Sequence, residues 1–199
     1  TGFTNIVPNK NFAFDAQREI TATAGSFVTK ASLISSSPHI TPIIDTARLG
    51  VIAVENLINN DLTGEDSTSG GNALSKYISR RVTLSDGFDA SDMTIFLTIC
   101  KRAGTDVHCY YKILSQYDPE PFDDKEWVLM VQSSNVNAVS LDDNDFIEYQ
   151  YDPSGINVNY TSGGATFTTF KTFAVKIVMT STSTTAIPRI QDLRTIAMA

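Results

Sequence analysis

The sequence predicts an all-β fold, an antiparallel two-sheet sandwich of jelly-roll type with an extended N-terminal arm. Three observations predict it. Residues 76–114 run strand, loop, strand, tight turn, strand, broken by Asp86-Gly87 and by Ala103-Gly104-Thr105-Asp106. Residues 146–151 and 173–180 alternate side chains as a strand does when its two faces differ. Helical periodicity is scarce, and the strand-like segments come to roughly eight to ten, which suits two stacked sheets.

Residues 1–11 are polar, carry Pro8 and show no sustained period. With the weak alternations through Phe12 and Phe14, and through Ile20, Ala22 and Ala24, they read as an arm. Residues 27–34 make a better strand, ended by Ser35-Ser36-Ser37-Pro38 because proline donates nothing to a ladder and serines favour turns. The expected organisation is therefore 1–34 as arm and first strand, then a sandwich over 35–199. A first residue of Thr rather than Met suggests a processed product or an excerpt of a longer polypeptide.

Residues 45–58 fit two readings. An amphipathic helix capped by Asp45 would align Leu49, Ile52, Ala53 and Leu57; a strand would run through Leu49, Val51 and Ala53. The β-branched Val51, Ile52 and Val54, with Gly50 inside, favour the strand. Residues 59–72 lack an apolar cluster and are expected to form a long exposed loop.

Residues 93–100 are nearly all apolar or β-branched, as in a strand covered on both faces. Residues 107–114 should return from it as a hairpin centred between Gly104 and Thr105, with Cys100 facing Cys109. Residues 115–127 form a proline-bearing acidic loop; Trp127 then opens a strand over 127–131 and packs over one end of the core. Asp152-Pro153-Ser154-Gly155 and Thr161-Ser162-Gly163-Gly164 are turns. The long pattern over 167–182 sets Phe173, Val175, Ile177 and Met179 on one face and Ala174, Lys176, Val178 and Thr180 on the other. Residues 186–198 close the chain as an edge or returning strand. Pro188, Ile190, Asp192 and Arg194 echo Pro42, Ile44, Asp45 and Arg48; coincidence with shared strand-entry chemistry is the expected account, and the alternative is two neighbouring strands at one end of the sandwich.

Composition narrows the functions. The formal charge of -7, with 15 scattered basic residues, argues against nucleic-acid binding, which needs clustered Lys and Arg. No apolar run approaches the ~20 residues that span a bilayer, and residues 1–10 lack the parts of a secretion signal. The two cysteines are expected to be half-buried reduced thiols rather than a disulfide. Asp142, Asp143, Asn144, Asp145 and Glu148 offer oxygens to a hard cation, but the glycine and spacing of a calcium loop are missing, so a solvated acidic turn is expected. His108 is next to Cys109, but neighbours on a strand face apart and His39 is the only other histidine; no metal or cofactor is expected. No serine has a base in a recognisable motif, and no acid pair is clustered as hydrolysis requires, so the expectation is a protein that is not an enzyme. Tyr110, Tyr111, Tyr117, Tyr149, Tyr151 and Tyr160 offer apolar bodies with polar tips, suited to core, interface or sugar platform. The candidate interface residues are Phe12, Phe14, Tyr117 and Tyr151.

Residues 77–92, Arg102-Ala103-Gly104-Thr105-Asp106, Tyr110-Tyr111-Lys112-Ile113-Leu114 and residues 188–197 together resemble a β-rich module of large virion structural proteins of tailed bacteriophages, notably myophages of cyanobacteria. Ser37-Pro38 through Asp45 and Arg48, and Trp127 through Met130, belong to the same resemblance, which covers roughly residues 30–198. It implies a noncatalytic part of a tail, baseplate or fibre, made in the host cytoplasm and assembled into the virion. Its partners would be other virion structural proteins in a homo- or hetero-oligomeric assembly, with residues 1–34 a docking arm that orders on assembly. The alternative is a carbohydrate-binding module for host recognition, making glycan contact through exposed tyrosines.

Overall fold

A computed structural model describes residues 30–45, 57–142, 144–155, 158–183 and 186–199. The chain divides into two units, Thr1–Glu55 and Asn56–Ala199. In the first unit the described residues 30–45 form no strand, so the strand expected over 27–34 is absent from 30–34. Instead the serines turn the chain: Ser35 Oγ accepts from the Ser37 N–H, and Ser37 Oγ accepts from the His39 N–H. Phe12, Phe14, Arg48 and the disputed residues 46–56 lie outside the described residues.

The second unit holds eleven strands: β1 (Ser75–Ile78), β2 (Val82–Thr83), β3 (Asp92–Cys100), β4 (Thr105–Leu114), β5 (Val128–Leu129), β6 (Val131–Gln132), β7 (Ile147–Asp152), β8 (Tyr160–Ser162), β9 (Ala165–Phe167), β10 (Thr172–Ser181) and β11 (Arg189–Met198). One sheet is ordered β1-β10-β4-β5, with β2 also on β10; the other is β11-β3-β7-β6; β8 and β9 make a small hairpin. All pairings are antiparallel. The all-β sandwich is what the alternation in the sequence predicted.

The two sheets share one core. Met93, Ile95, Leu97 and Ile99 of β3 meet Val107, Cys109, Tyr111 and Ile113 of β4 and Phe173, Val175 and Ile177 of β10. These are every second residue of each strand, so the pleat alone delivers them to the gap between the sheets. Tyr151 of β7 joins them and donates its hydroxyl to the Val107 carbonyl at 3.1 Å, a hydrogen bond from one sheet to the other. Where Gly163-Gly164 turns β8 into β9, both residues hold positive φ, 55° and 82°, which the absence of a Cβ permits.

Three expectations about the centre of the chain are corrected. β3 and β4 are not a hairpin: β3 pairs with β11 and β7, β4 with β10 and β5. The turn at 101–104 therefore arches from one sheet to the other, because both strands have a face to bury and stacking them face to face buries both. Cys100 is paired with Arg189 and Cys109 with Ile177, so the thiols do not face each other across a ladder. Both are free and fully buried, and burial pushes the Cys109 thiol up to about 12. The strand expected over 127–131 is also split. Val128 and Leu129 pair with β4, then buried Met130 donates its N–H to Cys109 O at 2.8 Å, and Val131 and Gln132 pair with β7 in the other sheet.

The expected strand over 167–182 is shorter in the structure, with Phe170 held in an isolated bridge to Ala90 before β10 starts. β11 is an edge strand as expected, paired among the described residues with β3 alone and bulged between Ile190 and Asp192. No helix among the described residues is long and apolar enough to cross a membrane.

Candidate functional site

The outer face of the β1-β10-β4-β5 sheet is covered rather than solvated. Tyr110 and Lys112 of β4, with Ala174, Lys176 and Val178 of β10, point away from the main core, and all five are buried. Residues 59–72, expected to be an exposed loop, fold with Ala73 and Leu74 across this face. Asn72 N–H bonds back to Thr63 O at 3.0 Å, and Asn59 fixes Leu74 N–H at 2.9 Å through its side-chain oxygen. Gly71 lies so close to the backbone of Thr63 to Glu65 that a Cβ there would come within 2.5 Å of Glu65 N, so only glycine closes the loop.

The folded loop delivers Glu65 to the sheet. Its carboxylate accepts from Lys176 at 3.0 Å, Lys76 at 2.8 Å and Ala73 N–H at 2.9 Å; Glu65 is 1% and Lys176 0% exposed. Lys176 also donates to the Glu65 carbonyl oxygen and lies over the rings of Tyr110 and Trp127. Burial works to raise the Glu65 carboxyl, but these three donors outweigh it and hold the group below its ordinary value. Trp127 does not cap an end of the main core. It lies in a second apolar cluster on this outer face with Ala73, Tyr110, Phe122, Ala174 and Val178, tied to the loop by its N–H on Asp66 O at 2.8 Å.

Beside this cluster the loop leaves a shallow cleft of about 560 Å³. Its lining includes Ala174 and Lys112 of the sheet, Ile78, Ser79 and Arg81 from the β1–β2 region, and Phe122, Asp123 and Trp127. Arg81 lies 5.3 Å above the Phe122 ring; the Lys112 ammonium lies 5.0 Å from Trp127 and 5.9 Å from Phe122. The aromatic faces in this cleft are thus occupied by cations. The cleft adjoins β1 and β2, whose other partner is β10 and whose far edge carries no strand among the described residues. On this edge Leu74 is 70%, Tyr77 and Ile78 51% and Val82 42% exposed.

The acidic loop 115–126 contains a second buried network. Asp118 accepts from Lys125 at 2.7 Å, from the Tyr160 hydroxyl at 2.8 Å, from Glu120 N–H at 3.0 Å and from Ser162 Oγ at 3.2 Å. Burial works to raise the Asp118 carboxyl, but these donors, Lys125 foremost, bring it down to about 2 from 3.8. An acid lowered on folding stabilises the fold above its unfolded value and loses that contribution as pH falls through the folded one. Roughly 2 kcal/mol of stability should therefore disappear between about pH 4 and pH 2. Urea midpoints of the protein and of Asp118→Asn should converge across that window; a constant gap would refute the assignment.

Of the residues singled out from sequence, Tyr117 is 73% exposed while Tyr151 is in the core at 2%, where it presents no surface to a partner or a sugar. Asp142 and Asp145 accept the backbone N–H groups of Asn144 and Leu141 at 2.7 and 2.8 Å, shaping the turn they belong to. His108 and Cys109 face opposite sides of β4, His108 3.9 Å from Asp106. No group of three or more His, Cys, Asp or Glu is placed to hold a metal ion among the described residues. Sequence reasoning missed Glu65, Arg81, Lys112 and Lys176. The available signal was a lysine inside each of two strongly apolar central strands, a residue that strands seldom bury without a purpose.

No family model matches the chain, and no curated protein matches it. Among solved structures, the infectious bursal disease virus VP2 subviral particle aligns over 83% of this chain and 35% of that chain, at 10% identity and a TM-score of 0.26. The aligned part thus spans about a third of that protein's length.

Proposed function

We propose that this chain is a noncatalytic structural module of a virion, in the tail, baseplate or fibre region of a tailed phage, acting by protein-protein assembly. The observation that carries the assembly role is the β1–β2 edge: backbone with no strand partner among the described residues, flanked by exposed Leu74, Tyr77, Ile78 and Val82. An apolar edge of this kind favours pairing with another chain, and proteins that stay monomeric blunt such edges. The resemblance of residues 77–92 and 188–197 to phage virion modules supports the viral setting. The carbohydrate reading is weaker here, because Tyr151 is buried and the rings of the cleft already carry cations.

Sedimentation of the protein with and without Tyr77→Lys and Val82→Lys tests the edge, and mass spectrometry of purified particles tests the setting. The expected result is association weakened about tenfold or more by the charged pair, and peptides from this chain in the particles. A strictly monomeric protein that is absent from particles would sink the proposal.

A further inference from the structure

Four lysines of the described residues are buried: Lys101, Lys112, Lys125 and Lys176. Three of them have a carboxylate at hand: Asp106 lies 3.2 Å from Lys101, Asp118 and Glu120 2.7 Å from Lys125, and Glu65 3.0 Å from Lys176. Lys112 differs. It is 4% exposed, its ammonium donates to one backbone carbonyl, Asp123 O at 3.2 Å, it lies against the rings of Trp127 and Phe122, and the carboxylates of Asp123 and Asp124 act on it only from beyond ion-pair distance. A buried ammonium with spare donors and no carboxylate within ion-pair distance gains from a counter-ion that comes closer.

The place left for that counter-ion is the cleft. Lys112 and Arg81 both line it, and Arg81, over the Phe122 ring, has no carboxylate of its own among the described residues. Lys76, also in the lining, is already matched by Glu65. Burial lowers the Lys112 ammonium below its ordinary value, and a bound anion would reverse that trend.

We propose that the cleft is a carboxylate-binding site, filled by a Glu or Asp side chain of a polypeptide segment lying along the β1–β2 edge, with Lys112 and Arg81 as its two cations. A polypeptide is favoured over an acidic sugar for two reasons. Sugars stack on open aromatic faces, and here both rings already lie against cations. The adjoining edge offers backbone groups and the exposed Tyr77 and Ile78, which a strand-like peptide can engage alongside the acid. The inference rests on the assembly reading above and adds to it the chemistry of the partner.

Trp127, the single tryptophan, is the natural reporter because its ring is 5.0 Å from the Lys112 ammonium. Its emission should be titrated with hexaglutamate, hexaglutamine and oligogalacturonate, for the native protein, Arg81→Glu and Lys112→Gln, with urea midpoints measured on each. The expected result is a saturable response to hexaglutamate alone, weakened by salt and about tenfold or more weaker in Arg81→Glu, whose exposed position leaves the midpoint unchanged. No saturable response in the native protein, or an undiminished one in Arg81→Glu, overturns the site. Tighter binding of oligogalacturonate than of hexaglutamate overturns the polypeptide assignment. Particle content is read separately: a chain present in particles but blind to hexaglutamate loses the cleft and keeps the assembly role, whereas a chain absent from particles and monomeric loses the assembly role.

Discussion

Replacing Glu65 with alanine is expected to cost about 3–5 kcal/mol of folding stability, read from the urea midpoint. The size follows from what is left behind. Lys176 is 0% exposed in the middle of β10, and without the carboxylate its charge keeps the Glu65 main-chain carbonyl, two aromatic rings and the more distant Asp66 carboxylate. Lys76 also loses its partner, but it is partly exposed and turns to water at small cost. The same substitution removes the acceptor for Ala73 N–H and so loosens the loop 59–74 over the sheet. The double variant Glu65→Leu with Lys176→Met should recover most of the loss, since a matched apolar pair carries no desolvation cost. If the double variant is as unstable as Glu65→Ala, the ion pair is not the origin of the effect.

Phe170→Ala is expected to cost a similar amount, about 3–5 kcal/mol, for a different reason. Phe170 is fully buried, packs edge-on to Phe173 at 6.0 Å between ring centroids, and its backbone exchanges both hydrogen bonds with Ala90. Removing the ring empties space that β-strands pinned on both sides cannot collapse to fill. Phe170→Leu refills much of it and should cost less than half as much; equal losses for the two variants would mean that packing is not what Phe170 supplies. The contrast between the two sites is diagnostic: a second substitution can rescue the Glu65 site, while the Phe170 site responds to volume alone.

Much of the fold was legible because a strand buried on one face writes its period into the sequence. Phe173, Val175, Ile177 and Met179 were assigned to one face from alternation and lie against the main core. Asp86-Gly87 and Gly163-Gly164 marked true turns, all three glycines having positive φ. Pairing partners were not legible. A turn at Gly104 between two apolar strands reads the same for a hairpin and for an arch between sheets, because both bury the same side chains and only the orientation of the backbone hydrogen bonds differs. The candidate site was hidden for a related reason. Residues 59–72 read as an exposed loop because their buried charge, Glu65, is balanced by Lys176 more than a hundred positions later, and no local pattern connects them.

The arch between β3 and β4 has a consequence for how the chain reaches this state. Because sequence neighbours part into different sheets, each long ladder joins segments made far apart: β4 waits for β10, and β3 for β11 at the end of the chain. Neither central strand can be zipped to its neighbour in sequence, so half-folded chains expose apolar faces until β10 and β11 are available. Folding should be slow for the chain's size, on a timescale of roughly milliseconds to seconds typical of non-local β topologies. Truncation within Arg189–Met198 would then do more than trim an edge, since it would leave Ile95, Leu97 and Ile99 on a strand without one of its two neighbours.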